Sequence, residues 1–338
     1  MVDYHASLYP TTPARFTCRA QNPDELAAWQ AEFRPALQEA LGLAQVSRDQ
    51  ASYIPLAEQL TTEAVDGYRR EAWRLWVEPG LALPFYLLRP DGGVGTLPMV
   101  LTPHGHNHPR LYVGLYENEE EQRSIQQGDR DIAVQAVREG YLVIAPTTRG
   151  FGETRAPEDV RENKLSSCRT QLLHGLLVGR TPIGERVWDI SRLIDWALGN
   201  LPVDPQRIAI TGNSGGGTTA VFAGACETRL SVVVPGSYYC TFAGSIGSIF
   251  HCDCNYVPGL LRLGEMYDVA GLIAPRPFCA IAGVQDEIFP IDQVRLAYQR
   301  LLAIYSAAGA QDRCQLYEGA GGHRYYKDGA WPFMRQFL

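Results

Sequence analysis

Between Arg207 and Gly224 the chain reads RIAITGNSGGGTTAVFAG. One hydroxyl, Ser214, stands among Gly212, Gly215, Gly216 and Gly217, just after a short apolar run and just before small residues of helical character. Gly212-Asn213-Ser214-Gly215-Gly216 satisfies G-x-S-x-G at a strand-to-helix junction, the setting in which a sharp turn holds a serine out as a nucleophile. Glycine two positions before and after leaves room for such a turn, where larger side chains would collide. Glycine-rich turns also cradle phosphates, but a P-loop needs lysine where this chain has Thr218, and a dinucleotide fingerprint needs glycine where it has Ser214.

A serine hydroxyl needs a base at neutral pH, and the base must be oriented. His323, in the glycine-rich stretch EGAGGHRYY, is the candidate base. Asp286, in AIAGVQDEIFP, is the candidate orienting carboxylate, with adjacent Glu287 as its substitute. The chain order Ser214, Asp286, His323 is that of a nucleophile-elbow hydrolase. Attack on an acyl carbon creates an oxyanion that needs preorganised N–H donors. The expected donors are the backbone amides of Gly215, which opens a helix, and of His106, in the stretch PHGHNHP.

The elements that must position these groups can be read from periodicity. Six short apolar runs, at 98–103, 141–146, 207–212, 230–235, 278–283 and 314–319, lack polar alternation and suit strands covered on both faces. Helical patterns separate most of them, so the sheet is expected to be mostly parallel, with its chemistry at the carboxyl ends of the strands. Before them, Leu26, Trp29, Phe33, Leu37 and Leu41 mark one face of a helix over 24–43, which Pro35 should bend. Three further segments between 59 and 90, broken at Asp66-Gly67 and Pro79-Gly80, read as antiparallel strands. Residues 1–95 and the catalytic core 96–338 are expected to form one fold unit. The segment 236–265 is long for a connection and is expected to roof the pocket, with Tyr238, Tyr239 or Phe250 lining it.

With 338 residues and 46% apolar composition, the chain can bury a large core. A net charge of -7 and the lack of any basic block argue against nucleic acid or an anionic membrane as partner and favour a small molecule. No apolar run approaches the roughly 18 to 20 residues that span a bilayer. The opening MVDYHASLYPTTPARF does not read as a signal peptide, so a cytoplasmic location is expected. Eight scattered cysteines, several inside apolar runs, look like buried reduced thiols.

The stretches PHGH, VDPQRIAITGNSGGG, LIAPRPFCAIAGVQDEIFP and GGHRYY together resemble the α/β-hydrolase superfamily, especially its acetyl xylan esterase-like and dienelactone hydrolase-like branches. The resemblance implies a sheet of about eight strands, no cofactor, and hydrolysis of a small-molecule ester through an acyl-enzyme. It also implies that Arg149, in TTRGFGE, braces the site and helps to bind substrate. Glycine at 215 departs from many relatives, which carry a larger residue there. Short acyl esters, including acetyl esters of carbohydrates, are the expected substrates; a peptidase or lactonase of the same fold is the alternative. A different class of reading is a metal-dependent hydrolase using His104, His106 and His108, with the nearby His251-Cys252-Asp253-Cys254 as further ligand types. The oxyanion loop already accounts for His104-Gly105, and Cys-x-Cys without a distant partner pair is a weak signal, so no metal is assigned.

Overall fold

The computed structural model describes residues 2–338. Among these residues nine strands form one sheet: β1 (Ala57–Val65), β2 (Tyr68–Glu78), β3 (Leu81–Pro90), β4 (Leu97–Leu101), β5 (Leu142–Pro146), β6 (Val203–Asn213), β7 (Val232–Gly236), β8 (Phe278–Gly283) and β9 (Cys314–Gly319). Their order across the sheet is β1-β2-β3-β5-β4-β6-β7-β8-β9. β1, β2 and β3 run as an antiparallel meander, and β3 joins β5 antiparallel. From β5 to β9 every pairing is parallel. The count exceeds the eight implied by family resemblance by one. The difference lies at the margin, where β1 is an edge strand with nearly every residue exposed.

Local chemistry explains these elements. The β2–β3 turn is made at Gly80 and the β1–β2 turn at Gly67, both with positive φ, which glycine adopts without a steric penalty. All five residues of β5 are buried, as are all six of β8, so uninterrupted apolar runs are what these positions require. The helix Pro23–Ala40 starts at Asn22, whose side chain accepts a hydrogen bond from the Glu25 amide. It continues through Pro35 and buries Leu26, Phe33 and Leu37. The chain turns at Gly42 and resumes as a separate helix Leu43–Asp49, so the helix expected over 24–43 ends three residues earlier, at Ala40.

Helices cover both faces. One face packs Pro23–Ala40, Pro182–Asn200, Gly215–Cys226 and Ile291–Ala307 into the larger apolar core; the other is closed by Ile132–Arg138 and Lys327–Phe337. Gly215–Cys226 is buried along its whole length, which is why its residues are small or apolar all round. Four connections leave the carboxyl ends of β4, β6, β8 and β9, and they carry His106, Ser214, Asp286 and His323 to one edge of the sheet. Among the described residues no helix is long and apolar enough to cross a membrane.

Candidate active site

Ser214 sits between the end of β6 and the helix Gly215–Cys226 with φ 58° and ψ -118°, a conformation that non-glycine residues rarely adopt. The glycines around it answer to a specific neighbour. A Cβ at Gly212 would lie 2.3 Å from the carbonyl oxygen of Pro103, and one at Gly216 would lie 2.0 Å from the same atom. The end of β4 therefore passes directly against the elbow, and only glycine at both positions lets it do so. The Ser214 amide donates to the Gly236 carbonyl at 2.8 Å, fixing the turn to β7.

His323 donates from Nδ1 to Oδ2 of Asp286 at 2.8 Å. The other carboxylate oxygen of Asp286 accepts the amides of Ile288 and Phe289, at 2.9 and 3.1 Å. Both oxygens are thus engaged, and the carboxylate is held in one orientation at 5% exposure, whereas Glu287 is exposed and unsuited to the same task. With its Nδ1 proton committed to Asp286, the neutral imidazole keeps Nε2 free as an acceptor. Phe289 stacks on the His323 ring at 5.8 Å between centroids.

Ser214 and His323 line one cleft of about 360 Å³ together with Gly105, His106, Asn107 and Arg130. Ile249, Phe250, His251 and Cys252 close its other side. The segment 236–265 therefore does border the cleft, through residues 249–252. A second, polar depression shares Arg130 and His323 with this cleft and is lined also by Glu120, Arg123, Gln127 and Arg324.

The loop that carries His106 is tightly located. The His104 ring is buried; its Nδ1 donates to the Gly105 carbonyl at 2.7 Å and its Nε2 accepts the Thr148 amide at 2.8 Å. Burial depresses its pKa to about 3, so it remains neutral. A Cβ at Gly105 would meet the Asn213 carbonyl at 2.6 Å and Cβ of Ser214 at 3.2 Å, so this loop lies against the elbow. Glycine at 215 has a related origin, because a Cβ there would come within 3.2 Å of the His106 ring.

Two sequence expectations need correction. Tyr238 and Tyr239 do not line the cleft: each is 1% exposed, with Tyr238 packed edge-on against Phe289 and the Tyr239 hydroxyl donating to the Ala297 carbonyl. Their position directly after β7 turns both rings into the core, leaving the cleft to the later part of the segment. Phe250, at 95% exposure, is at the cleft mouth. Arg149 is buried away from the cleft, where it binds Asp189 and Glu78, with Glu185 at 3.5 Å. Burial alone would lower its pKa, but the carboxylates of Asp189, Glu185 and Glu78 outweigh that and raise it. Nor do His104, His106 and His108 form a joint metal site, since both His104 nitrogens are engaged and the His108 Nδ1 accepts the Arg110 amide.

Sequence reasoning did not single out Asn107, Arg130, Ile249 or Ile288 as cleft residues. Arg130 opens no motif and arrives from the turn before the helix Ile132–Arg138, so nothing local marks it. His251 was visible as a ligand type but not as a lining residue. Its Nδ1 accepts the Cys252 amide, which leaves the proton on Nε2, a buried atom with no protein partner.

A family model described as the Abhydrolase family matches residues 4–303. The chain belongs to this family. As a member of the Abhydrolase family it is a hydrolase with the α/β-hydrolase fold. It is 27% identical over 248 residues to "Putative hydrolase YtaP" of Bacillus subtilis (strain 168), which covers 71% of this chain and 77% of that one. Among solved structures it is similar to one described as a "putative acetyl xylan esterase" from Bacteroides fragilis NCTC 9343, with TM-score 0.78 and 18% identity over 97% of this chain and 82% of that one. It is also similar to a glucuronoyl esterase from Solibacter usitatus, with TM-score 0.67 and 12% identity over 96% of each chain. At these identities the structural likeness is one of fold.

Proposed function

We propose that this protein is a serine carboxylesterase that cleaves short acyl groups, acetyl among them, from the hydroxyls of a carbohydrate-like alcohol. The observation that carries the reading is that the elbow serine and the imidazole of the His323–Asp286 pair open onto the same cleft. Ser214 Oγ attacks the ester carbonyl carbon while Nε2 of His323 takes its proton. Asp286 stays ionised and stabilises the imidazolium. The tetrahedral oxyanion is held by the amides of Gly215 and His106, and each such donor is worth about 3 to 4 kcal/mol. Collapse breaks the bond to the alcohol oxygen, which leaves with the proton from Nε2. Water, deprotonated by the same nitrogen, then releases the carboxylic acid and regenerates Ser214.

Support for a hydroxyl-bearing alcohol half comes from the cleft's polar residues Asn107, Arg130 and His251, and from the polar depression continuing past Arg130. The name of one structural neighbour, a putative acetyl xylan esterase, points to the same substrate class, whereas a glucuronoyl esterase carries its sugar on the acyl side of the ester. Reaction with a fluorophosphonate followed by peptide mapping tests the nucleophile. The adduct is expected on Ser214 and lost in Ser214→Ala; an adduct elsewhere, or none in an active enzyme, overturns the proposal. A panel of acetylated sugars set against simple aryl acetates then tests the alcohol half, with higher kcat/KM expected on the sugars.

A further inference from the structure

Beside the cleft, four side chains from three separate segments converge. His106 comes from the loop after β4, Cys168 from the first residue of the helix Cys168–Leu176, and Cys252 and Cys254 from the segment that closes the cleft. One ligand-type atom of each lies within 4.8 Å of all the others. Nε2 of His106 is 3.3 Å from Sγ of Cys254 and 3.8 Å from Sγ of Cys168, and the Cys252 and Cys254 sulfurs are 3.4 Å apart. A tetrahedral zinc ion with ordinary bond lengths sets its ligand atoms about 3.8 Å apart for two sulfurs and about 3.6 Å for sulfur and nitrogen. The three distances here lie within about 0.4 Å of that shell. The Cys-x-Cys pair, weak by itself in the sequence, acquires its distant partners through the fold.

The surroundings supply what a metal thiolate site needs. Three thiolates and a neutral imidazole on a divalent ion leave one net negative charge. Arg186 is 2% exposed, and among the described residues no carboxylate lies within ion-pairing distance of it. Instead its guanidinium reaches Sγ of Cys168 at 3.6 Å. The amide of Asn255 approaches Sγ of Cys254 at 3.9 Å. A buried cation without an acidic partner is costly, and it is explained if the sulfurs beside it carry the compensating charge. Phe151 packs edge-on to the His106 ring and, with Cys168 and Cys254, forms a small buried apolar cluster. The soft sulfur-rich donor set selects zinc over magnesium or calcium.

We infer that His106, Cys168, Cys252 and Cys254 bind one zinc ion that joins the cleft-closing segment to the loop of the proposed oxyanion amide. Four protein ligands fill a tetrahedral shell, so the ion is structural. His106 then acts as a positioning residue: its ring is tethered to the metal, which fixes the loop of the proposed oxyanion amide, and glycine at 215 leaves the ring its path. The metal site stands independently of the esterase reading; only its effect on catalysis rests on that reading.

The test begins with metal analysis of the untagged full chain after gel filtration in metal-free buffer. About one zinc per chain is expected. Cys252→Ser and Cys254→Ser are each expected to retain less than a tenth of it, while Cys18→Ser retains all. Since a variant could fail to fold, the wild-type chain is also stripped with a thiol-reactive mercurial, reduced, and given cobalt(II). A thiolate-to-cobalt charge-transfer band with the intense visible absorption of a tetrahedral ion is expected. Restoring zinc should raise Tm and recover activity on a chromogenic ester by about 10²- to 10³-fold, the worth of one oxyanion donor. Metal-free protein as isolated that binds no cobalt after reduction, or Cys252 and Cys254 found joined as a disulfide in the active enzyme, overturns the inference. Zinc at full occupancy in a protein inactive on every ester would leave the metal site standing and remove the esterase reading instead.

Discussion

Gly216→Ala separates packing at the elbow from helix propensity, because the two act in opposite directions. Position 216 lies inside the helix Gly215–Cys226 without a positive φ, so alanine there should by propensity stabilise the helix by about 1 kcal/mol. The new methyl, however, would sit 2.0 Å from the Pro103 carbonyl oxygen, 3.0 Å from its carbonyl carbon and 3.3 Å from that of His104. Reaching ordinary contact requires the helix start and the end of β4 to separate by more than about an ångström, and overpacking of this kind costs about 1 to 3 kcal/mol. The clash therefore wins, for a net loss of up to about 2 kcal/mol. The loop cannot absorb the shift quietly, since His104 is tied to Thr148 at 2.8 Å and Gly105 lies on the Asn213 carbonyl. On the proposed assignment, separation moves the donor loop away from Ser214, and a misplacement near 1 Å costs about 10²-fold in rate.

The assay is kcat on p-nitrophenyl acetate with Tm measured in parallel. Gly199→Ala serves as the control, because Gly199 ends the helix Pro182–Asn200 with nothing within 4 Å of a new methyl. The control should keep its activity and hold or raise its Tm. The reasoning is refuted if Gly216→Ala behaves in the same way, with kcat within threefold of wild type and an undiminished Tm.

Asp286→Asn keeps the size of the side chain but can turn an amide N–H toward Nδ1 of His323, imposing the wrong tautomer; kcat should fall by about 10⁴-fold with the fluorophosphonate reaction slowed in step, and a loss below tenfold would argue against this pair as the proton relay. Phe250→Ala, at the exposed cleft mouth, should alter KM and alcohol preference without lowering Tm, whereas Tyr239→Phe should cost about 1 kcal/mol of stability through its lost bond to Ala297 and leave substrate preference alone; steady-state kinetics and thermal melts on both variants decide this. Burial would raise the pKa of Glu78, but hydrogen bonds and charge from Arg180 and Arg149 prevail and hold it below 4.5. A depressed carboxylate contributes stability that is complete above the unfolded value and lost as pH falls through the folded one. Glu78→Gln should thus lower Tm at pH 7 and show a shallower fall below pH 4.5, so parallel melting curves for the two proteins would contradict the assignment.

The sheet was legible in the sequence to within a few residues, because strands buried on both faces demand uninterrupted apolar runs that few other elements use. All six of those runs became β4 to β9, and the three antiparallel segments became β1 to β3. That Ser214, Asp286 and His323 meet at one edge of the sheet was legible because each follows such a run, and parallel topology sends every carboxyl end to that edge. What failed was inference about side-chain direction and about pairing across long sequence distances. Tyr238 and Tyr239 share a neighbourhood with true cleft residues, yet a turn at Ser237, with φ 43°, sends them into the core. Arg149 stands next to the site in sequence and faces a buried acidic cluster, whose carboxylates offset the burial of its charge. Cys168 carries no local signal at all: its relation to His106 spans 62 positions and exists only in the folded chain.

That last relation bears on how the proposed oxyanion site would be assembled from two unrelated elements. The Gly215 amide is fixed by the helix it opens, and its geometry is inherited from the elbow. The His106 amide belongs to a loop that has no secondary structure to hold it, and glycine at 105 makes that loop locally permissive. Rigidity must come from side chains, and there are two anchors: the buried His104 ring, bonded at both nitrogens, and the His106 ring, drawn into the three cysteines. A larger residue at 215 would block the second anchor, so glycine there is the counterpart of the cysteine cluster. Glycine at 215 and the cysteines at 168, 252 and 254 are therefore expected to depend on one another: restoring a side chain at 215 should be tolerated better once the His106 ring is no longer tethered.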